Sequence, residues 1–251
     1  MSFKQLRSAL SLLLLCLVVA PAAAQWVRMP GMARDIGAGP EGSVWIVGST
    51  AVSPSGNEIY RWNGRSWIKV AGTAVRIAVG PRDQAWVVTA ADQILRFNGH
   101  GWDPLPGTAK DIGVGANGVG WIVGGNPESR GFGIFRWNSS AWDKIPGSAT
   151  RIAVDAKGLP WVVSNMRKIY HFDGKEWRDL PGAATDIGVG ASGAVFIAND
   201  SRALYRWDGK KWQAWPPYTE NLTGVTVDSR GMPWAVTVGG QIVAWNPPKP
   251  R

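Results

Sequence analysis

Cysteine is almost absent from the 251 residues: Cys16 is the single one, inside an apolar segment near the start. No disulfide can therefore form within the chain, and its core alone must hold the fold. Histidine is nearly as scarce, with only His100 and His171, at dissimilar positions of the pattern described below. That supports neither a His-based metal cluster nor a nucleophile–histidine pair. No P-loop, EF-hand or dinucleotide fingerprint occurs, so no cofactor is implied. Charged residues make up 18%, with a formal net charge of +9, yet no run of four basic residues exists. The basic residues are interleaved with acids, which argues for a solvated surface and against nucleic acid as a partner. The one long apolar run, residues 10–20, is shorter than the ~20 residues a membrane-spanning helix needs.

Glycine (32), proline (17) and tryptophan (16) are abundant instead. The first two are expensive inside helices, which argues against a helical bundle. An apolar content of 45% argues against disorder. Residues 1–24 read as a secretory signal: Lys4 and Arg7 give a basic start, 10–20 an apolar run, and Ala22, Ala23 and Ala24 a small-residue cleavage site. The mature chain is expected to begin at Gln25, without a transmembrane anchor and exported to the periplasm or outside the cell. Its removal lowers the formal charge by two. Bulky Leu15 before Cys16 argues against lipidation.

Six segments align on one motif: residues 33–48 (ARDIGAGPEGSVWIVG), 74–88, 109–124 (AKDIGVGANGVGWIVG), 149–164, 184–198 and 222–237. Their starts lie 41, 35, 40, 35 and 38 residues apart, near the ~40–45 of a four-stranded propeller blade. Within each unit an alternating strand (A) reaches a Gly-containing turn, then an apolar strand (B), a loop and a strand such as IYRW (C). Asn-Gly or Asp-Gly turns follow at residues 63, 98, 173 and 208, a strong hairpin signal. A strand opened by tryptophan (D) closes the unit. The sixth unit stops after its C strand, while residues 26–35 match the D segments at 67–76, 102–111, 142–151 and 177–186. The expected fold is all-β, a six-bladed β-propeller over 25–246. The N-terminal strand completes the last blade, and 247–251 form a tail.

The combination of (D/R)IGVG, VW(I/V)V, IYRW(N/D)G and SW-x-x-(I/L/V)PG resembles the tectonin repeats of the tachylectin and tectonin β-propeller lectins, over the whole mature chain. The resemblance implies recognition of glycans or lipopolysaccharide. A protein-binding scaffold of the cell envelope is the alternative, because a fold does not fix a function.

Two columns of residues are candidates for binding. Strand B carries Trp45, Trp86, Trp121, Trp161, Phe196 and Trp234. These rings either fill the core or stack on sugar faces. The residue opening strand A runs Asp35, Arg76, Asp111, Arg151, Asp186 and Gly224. This alternation of sign implies inter-blade ion pairs, or a polar channel rim able to grip hydroxyls or an anion. A hydrolase acting through Asp35, Asp111 or Asp186 is the catalytic alternative; a non-catalytic protein is expected. Departures from the repeat add long B–C loops at 49–57 and 125–133, and Trp215 and Tyr218 in the stretch after Trp212. Loops, extra aromatics and charged ring are expected on one face.

Overall fold

The computed structural model describes residues 25–54, 56–201 and 203–246. The signal read at 1–24, with Cys16, and the tail at 247–251 lie outside them. Among the described residues no helix is long and apolar enough to cross a membrane. The chain is all-β, and its strands pair into antiparallel four-stranded meanders, joined in two places into seven-stranded sheets; paired strands are consecutive in sequence except Gln241–Trp245 with Trp26–Ala38.

Two long strands each serve two meanders. In Trp26–Ala38, Trp26 lies opposite Trp245 and Val27 opposite Ala244, while Asp35 to Ala38 pair with Val47 to Val44. Trp102–Val114 likewise pairs first with Gln93–Phe97 and then with Gly120–Glu128. The register shifts between the two halves, so one strand turns from the rim of one meander to the centre of the next.

Burial falls from the centre outward and explains the sequence pattern. Strands A alternate, as in Arg76–Val79, where Ile77 and Val79 are buried. Strands B such as Ala85–Val88, Pro160–Val163 and Val195–Ala198 are buried at every residue, because neighbouring meanders cover both of their faces. Strands D bury little: in Trp177–Leu180, Arg178 and Asp179 are exposed and Trp177 and Leu180 only half-buried. The core lies between meanders: Trp45, Val47, Ile59 and Ala74 of the first pack on Ile77, Val79, Ala85 and Val87 of the second. A matching cluster joins the first and last repeats, with Met29, Ala33, Ile36 and Ile46 against Trp234, Val236, Ile242 and Ala244. A buried indole removes about 150–250 Å² from water, worth up to about 4–6 kcal/mol at ~25 cal/mol per Å². Cores of this kind replace the missing disulfides.

The A strands surround a narrow channel of about 70 Å³, lined among others by Gly37, Ala78, Gly113, Ala153, Gly188 and Thr226. The small residues are there because neighbouring A strands nearly touch. A Cβ on Gly188 would stand 2.6 Å from the Val225 carbonyl oxygen and 2.9 Å from Thr226 Cα. Gly188→Ala is therefore expected to destabilise by about 1–3 kcal/mol, lowering the melting temperature by several degrees. Gly101→Ala, where a Cβ meets nothing within 4 Å, is the control. Equal melting of the two variants by calorimetry would mean that the A strands part without cost.

Candidate functional site

The charged column forms a ring at the channel. Each aspartate reaches across to the next A strand: Asp35 Oδ2 accepts from the Ile77 amide, Asp111 Oδ2 from Ile152 and Asp186 Oδ2 from Val225, all at 2.8 Å. The glycine two residues after each aspartate permits this approach. Arginines fill the spaces between aspartates. Arg76 Nε lies 3.5 Å from Asp111 Oδ1 and its Nη1 3.9 Å from Asp35 Oδ1, while Arg151 Nε lies 3.4 Å from Asp186 Oδ1. The ring is thus an inter-repeat tie, as one of the two sequence readings has it.

Three carboxyls face two guanidiniums, so the fully ionised ring carries one excess negative charge, which favours a cation over an anion. Burial pushes Asp35 up to about 6 and Asp186 up to about 7; Asp111 raises Asp35 further, and Asp111 and Asp35 raise Asp186 further. Arg76 and Arg151 and the amides of Ile77 and Val225 pull in the opposite direction without overcoming burial. Arg76 is held above its usual range: burial opposes its charge, and Asp35, Asp111 and Asp186 more than offset that.

The strand B tryptophans are core. Trp45, Trp86, Trp121 and Trp234 are at most 1% exposed and Trp161 is 7% exposed, so none offers a ring face to a sugar. Trp45 Nε1 donates to Asp83 at 2.6 Å and Trp121 Nε1 to the Gly158 carbonyl at 3.0 Å. The expectation of stacking on these five rings is corrected by their burial between neighbouring sheets.

The strand D tryptophans form a belt. Trp67 Nε1 donates to Pro30 O at 2.7 Å, Trp102 to Ala71 at 2.6 Å, Trp142 to Pro106 at 2.8 Å, Trp177 to Pro146 at 2.6 Å and Trp212 to Pro181 at 2.7 Å. Trp26 makes the same bond to Pro216 at 2.8 Å. In the first five of these bonds the glycine after the carbonyl residue lies against the indole: a Cβ on Gly72, which follows Ala71 and has φ +114°, would stand 2.7 Å from Trp102 Nε1. Each indole also packs on the aromatic ending its neighbouring C strand, at centroid distances of 4.9 to 5.5 Å.

The irregular segments divide between the two ends of the strands. Residues 49–57 and 125–133 are extensions of hairpins, with Ala51 opposite Asn57 and Gly131 opposite Glu128. Tyr218 packs edge-on to Trp26 at 6.2 Å. Trp215 packs on Phe196 at 4.9 Å and Trp245 at 5.3 Å, with the Arg206 guanidinium 6.0 Å from its ring. It lines a cavity of about 710 Å³ with Trp207, Gln213, Gly193 of the A–B turn and Asp208 and Gly209 of the C–D turn. Those turns lie at the opposite end of the strands from the hairpins. The expectation of one shared face is corrected: Trp215 opens away from the hairpins.

A second cavity was not singled out by the sequence. Between the sixth and first repeats lies a groove of about 350 Å³, with Met32, Ile46, Tyr60 and Trp67 as apolar walls and Ser49, Thr50 and Glu58 as polar ones. Tyr60 and Lys69 both donate to the Glu58 carboxylate, holding it below its usual range, the Lys69 bond contributing most. Met32 is 41% exposed. The fourth repeat carries the same arrangement in Gly147, Val162, Tyr170 and Trp177, but only about 90 Å³ is open. There Arg130, from the tip of the neighbouring hairpin, covers the tyrosine, its Nη1 3.1 Å from Tyr170 Oη. The sequence signal was the tyrosine two residues before the C-strand aromatic, at 60, 170 and 205.

The Tectonin domain family matches the chain at residues 17–100, 73–171 and 148–249. No curated protein matches it. Similar solved structures include YCF48 bound to D1 peptide, at 16% identity and TM-score 0.60, covering 88% of this chain and 96% of that one. Virginiamycin B lyase from Staphylococcus aureus is 14% identical with TM-score 0.61, covering 88% and 98%. A gluconolactonase from Xanthomonas campestris is 11% identical with TM-score 0.67, covering 90% and 91%. At these identities the likeness is one of fold.

Proposed function

The chain belongs to the tectonin family, and from that premise we propose that it is an exported, non-catalytic binding propeller that recognises glycans, lipopolysaccharide among them. In this reading residues 1–24 are the export signal and 25–246 form six blades. The segment opening at Trp26 supplies the last strand of the sixth blade, in support of which it pairs with Gln241–Trp245. The protein acts in the periplasm or outside the cell.

The groove at Tyr60 and Trp67 carries the glycan reading. Its volume of about 350 Å³ lies at the small end of ligand sites, about 300–1,000 Å³. It combines apolar ring faces with an ionised carboxylate and hydroxyls, the combination that holds the C–H face and the hydroxyls of a sugar. The cavity beside Trp215 is a second candidate subsite, and a propeller with several shallow sites gains strength on a repeating surface by avidity. A protein-binding scaffold is the second reading, favoured by the peptide in the YCF48 structure.

The test is a glycan and lipopolysaccharide array probed with wild type and with Ser49→Trp, which fills the groove from an exposed position. Saturable binding to a defined sugar, weakened at least about tenfold (~1.4 kcal/mol) in the variant, is expected. A blank array from folded protein would transfer the assignment to the scaffold. Turnover of a lactone or ester that Asp111→Asn abolishes would overturn the non-catalytic reading.

A further inference from the structure

The ring at the channel repeats a pair, aspartate then arginine, and the third pair is broken. Arg76 lies between Asp35 and Asp111, and Arg151 between Asp111 and Asp186. In each case the arginine Nε approaches Oδ1 of the following aspartate, at 3.5 Å and 3.4 Å. The third position, between Asp186 and Asp35, is Gly224. Asp35 Oδ1 therefore lacks the Nε neighbour that Asp111 and Asp186 have; its arginine contact is Arg76 Nη1 from the other side, at 3.9 Å.

The space for the missing group is open. A Cβ on Gly224 would meet only Asp186 Oδ2 and the Val236 Cβ, both at 3.8 Å. The A strand that carries it, Leu222–Val227, brings no charged side chain. Asp35, Asp111 and Asp186 with Arg76 and Arg151 are the charged groups lining or pairing across the channel, leaving one carboxyl unmatched. Asp35, Arg76 and Asp186 side chains keep 19%, 23% and 16% of their exposure, so the ring is reached from solvent.

We propose that the gap over Gly224 binds a guanidinium group from outside the chain, that of an arginine side chain, between Asp35 and Asp186. The same aspartate-flanked position is filled by a guanidinium at Arg76 and again at Arg151, so the ring itself specifies the ligand's shape and charge. A metal ion fits less well: among the described residues no group of three or more His, Cys, Asp or Glu is placed to hold one. The site is separate from the Tyr60 groove and stands or falls independently of glycan binding.

The raised carboxyls give the binding a signature. Where one of them still holds its proton, the incoming guanidinium must displace it, so binding releases a proton and weakens about tenfold per pH unit below the carboxyl's titration. Titration calorimetry of the purified protein at pH 8 with N-acetyl-L-arginine amide, against N-acetyl-L-citrulline amide as the neutral isostere, tests this. Saturable binding of the arginine compound alone is expected, weakening towards pH 5. Gly224→Arg, which supplies the group internally, and Asp35→Asn, whose amide oxygen can still accept from Ile77, should each lose at least tenfold in affinity. Equal binding of the citrulline compound, absence of binding by either, or Gly224→Arg binding like wild type would overturn the assignment. The wild-type contrast between the two compounds decides the matter even if a variant fails to fold. Ser49→Trp should leave this affinity unchanged.

Discussion

Removal of residues 25–32 will cost the protein most of its stability, although the segment precedes the first repeat and leaves the repeats from 33 onward intact. Trp26 donates its indole N–H to Pro216 at 2.8 Å and packs edge-on against Trp245 at 5.5 Å. Val27 and Arg28 pair with Ala244 and Val243, and Met29 is 7% exposed in the cluster joining the first and last repeats. Trp26 is half-buried, so its loss costs less than the ~3–5 kcal/mol of a fully buried aromatic; loss of buried Met29 adds about 2–5 kcal/mol and each net backbone hydrogen bond about 0.5–1.5 kcal/mol. The sum approaches the 5–15 kcal/mol that stabilises an average domain. The truncation would also bare the edge of Gln241–Trp245, which invites pairing with another chain. Urea denaturation of the truncated and complete chains measures the effect. Trp26→Ala should lose about as much as Trp142→Ala, its counterpart within the chain. If Trp26→Ala melts like wild type, or the truncated chain keeps its midpoint, the first and last repeats do not depend on each other.

The architecture was legible because each repeat states it again. The aspartate-Ile-Gly and arginine-Ile-Ala alternation is visible in the letters, and its cause is a contact between consecutive repeats: the glycine lets one A strand approach the next, and the aspartate takes the next strand's amide. The tryptophans were legible as positions but not as roles. Trp86 and Trp102 belong to the same recurring alphabet, yet Trp86 is 1% exposed between two sheets whereas Trp102 lies at the rim and bonds to Ala71. What separates them is how far each lies from the channel, which only the pairing order fixes. The Tyr60 groove was illegible for a related reason. Met32, Ser49, Glu58 and Trp67 come from four stretches of two adjoining repeats, and no spacing in the chain brings them together. The direction of Trp215 was likewise undetermined: insertion length places the residue near a connection, but the packing of its ring on Phe196 and Trp245 turns it to the other end of the strands.

Stability should peak in mildly acidic solution and fall as the pH rises towards 8, the reverse of the usual acid lability. Asp35 and Asp186 titrate in the native state at about 6 and about 7, above their ordinary 3.8, chiefly because burial disfavours their charge. The native state therefore holds these protons more tightly than the unfolded chain does. Their stabilising contribution is complete below about pH 4 and is lost as the pH rises through 6 and 7. A tenfold difference in proton affinity is worth about 1.4 kcal/mol. Both carboxyls interact with Arg76 and with each other, so their titrations are coupled and the two losses do not simply add. The exposed turn carboxylates run the other way. Asp173 and Asp208 are held down at about 2, the first mainly by the amides of Glu176 and Lys175, the second mainly by Gln213 and then the amides of Lys211 and Lys210. Their contribution is present above about pH 4 and is lost below it. The two trends cross near pH 4–5, where the melting temperature should be highest. Asp186→Asn, which can keep the bond from Val225 through its amide oxygen, should flatten the fall between pH 5 and 8. Gly224→Arg should flatten it too, because a third guanidinium lets all three carboxyls ionise without a net charge on the ring. A wild-type melting temperature that rises steadily from pH 4 to 8 would mean that the guanidiniums already outweigh burial. The third position would then have no electrostatic need of a cation.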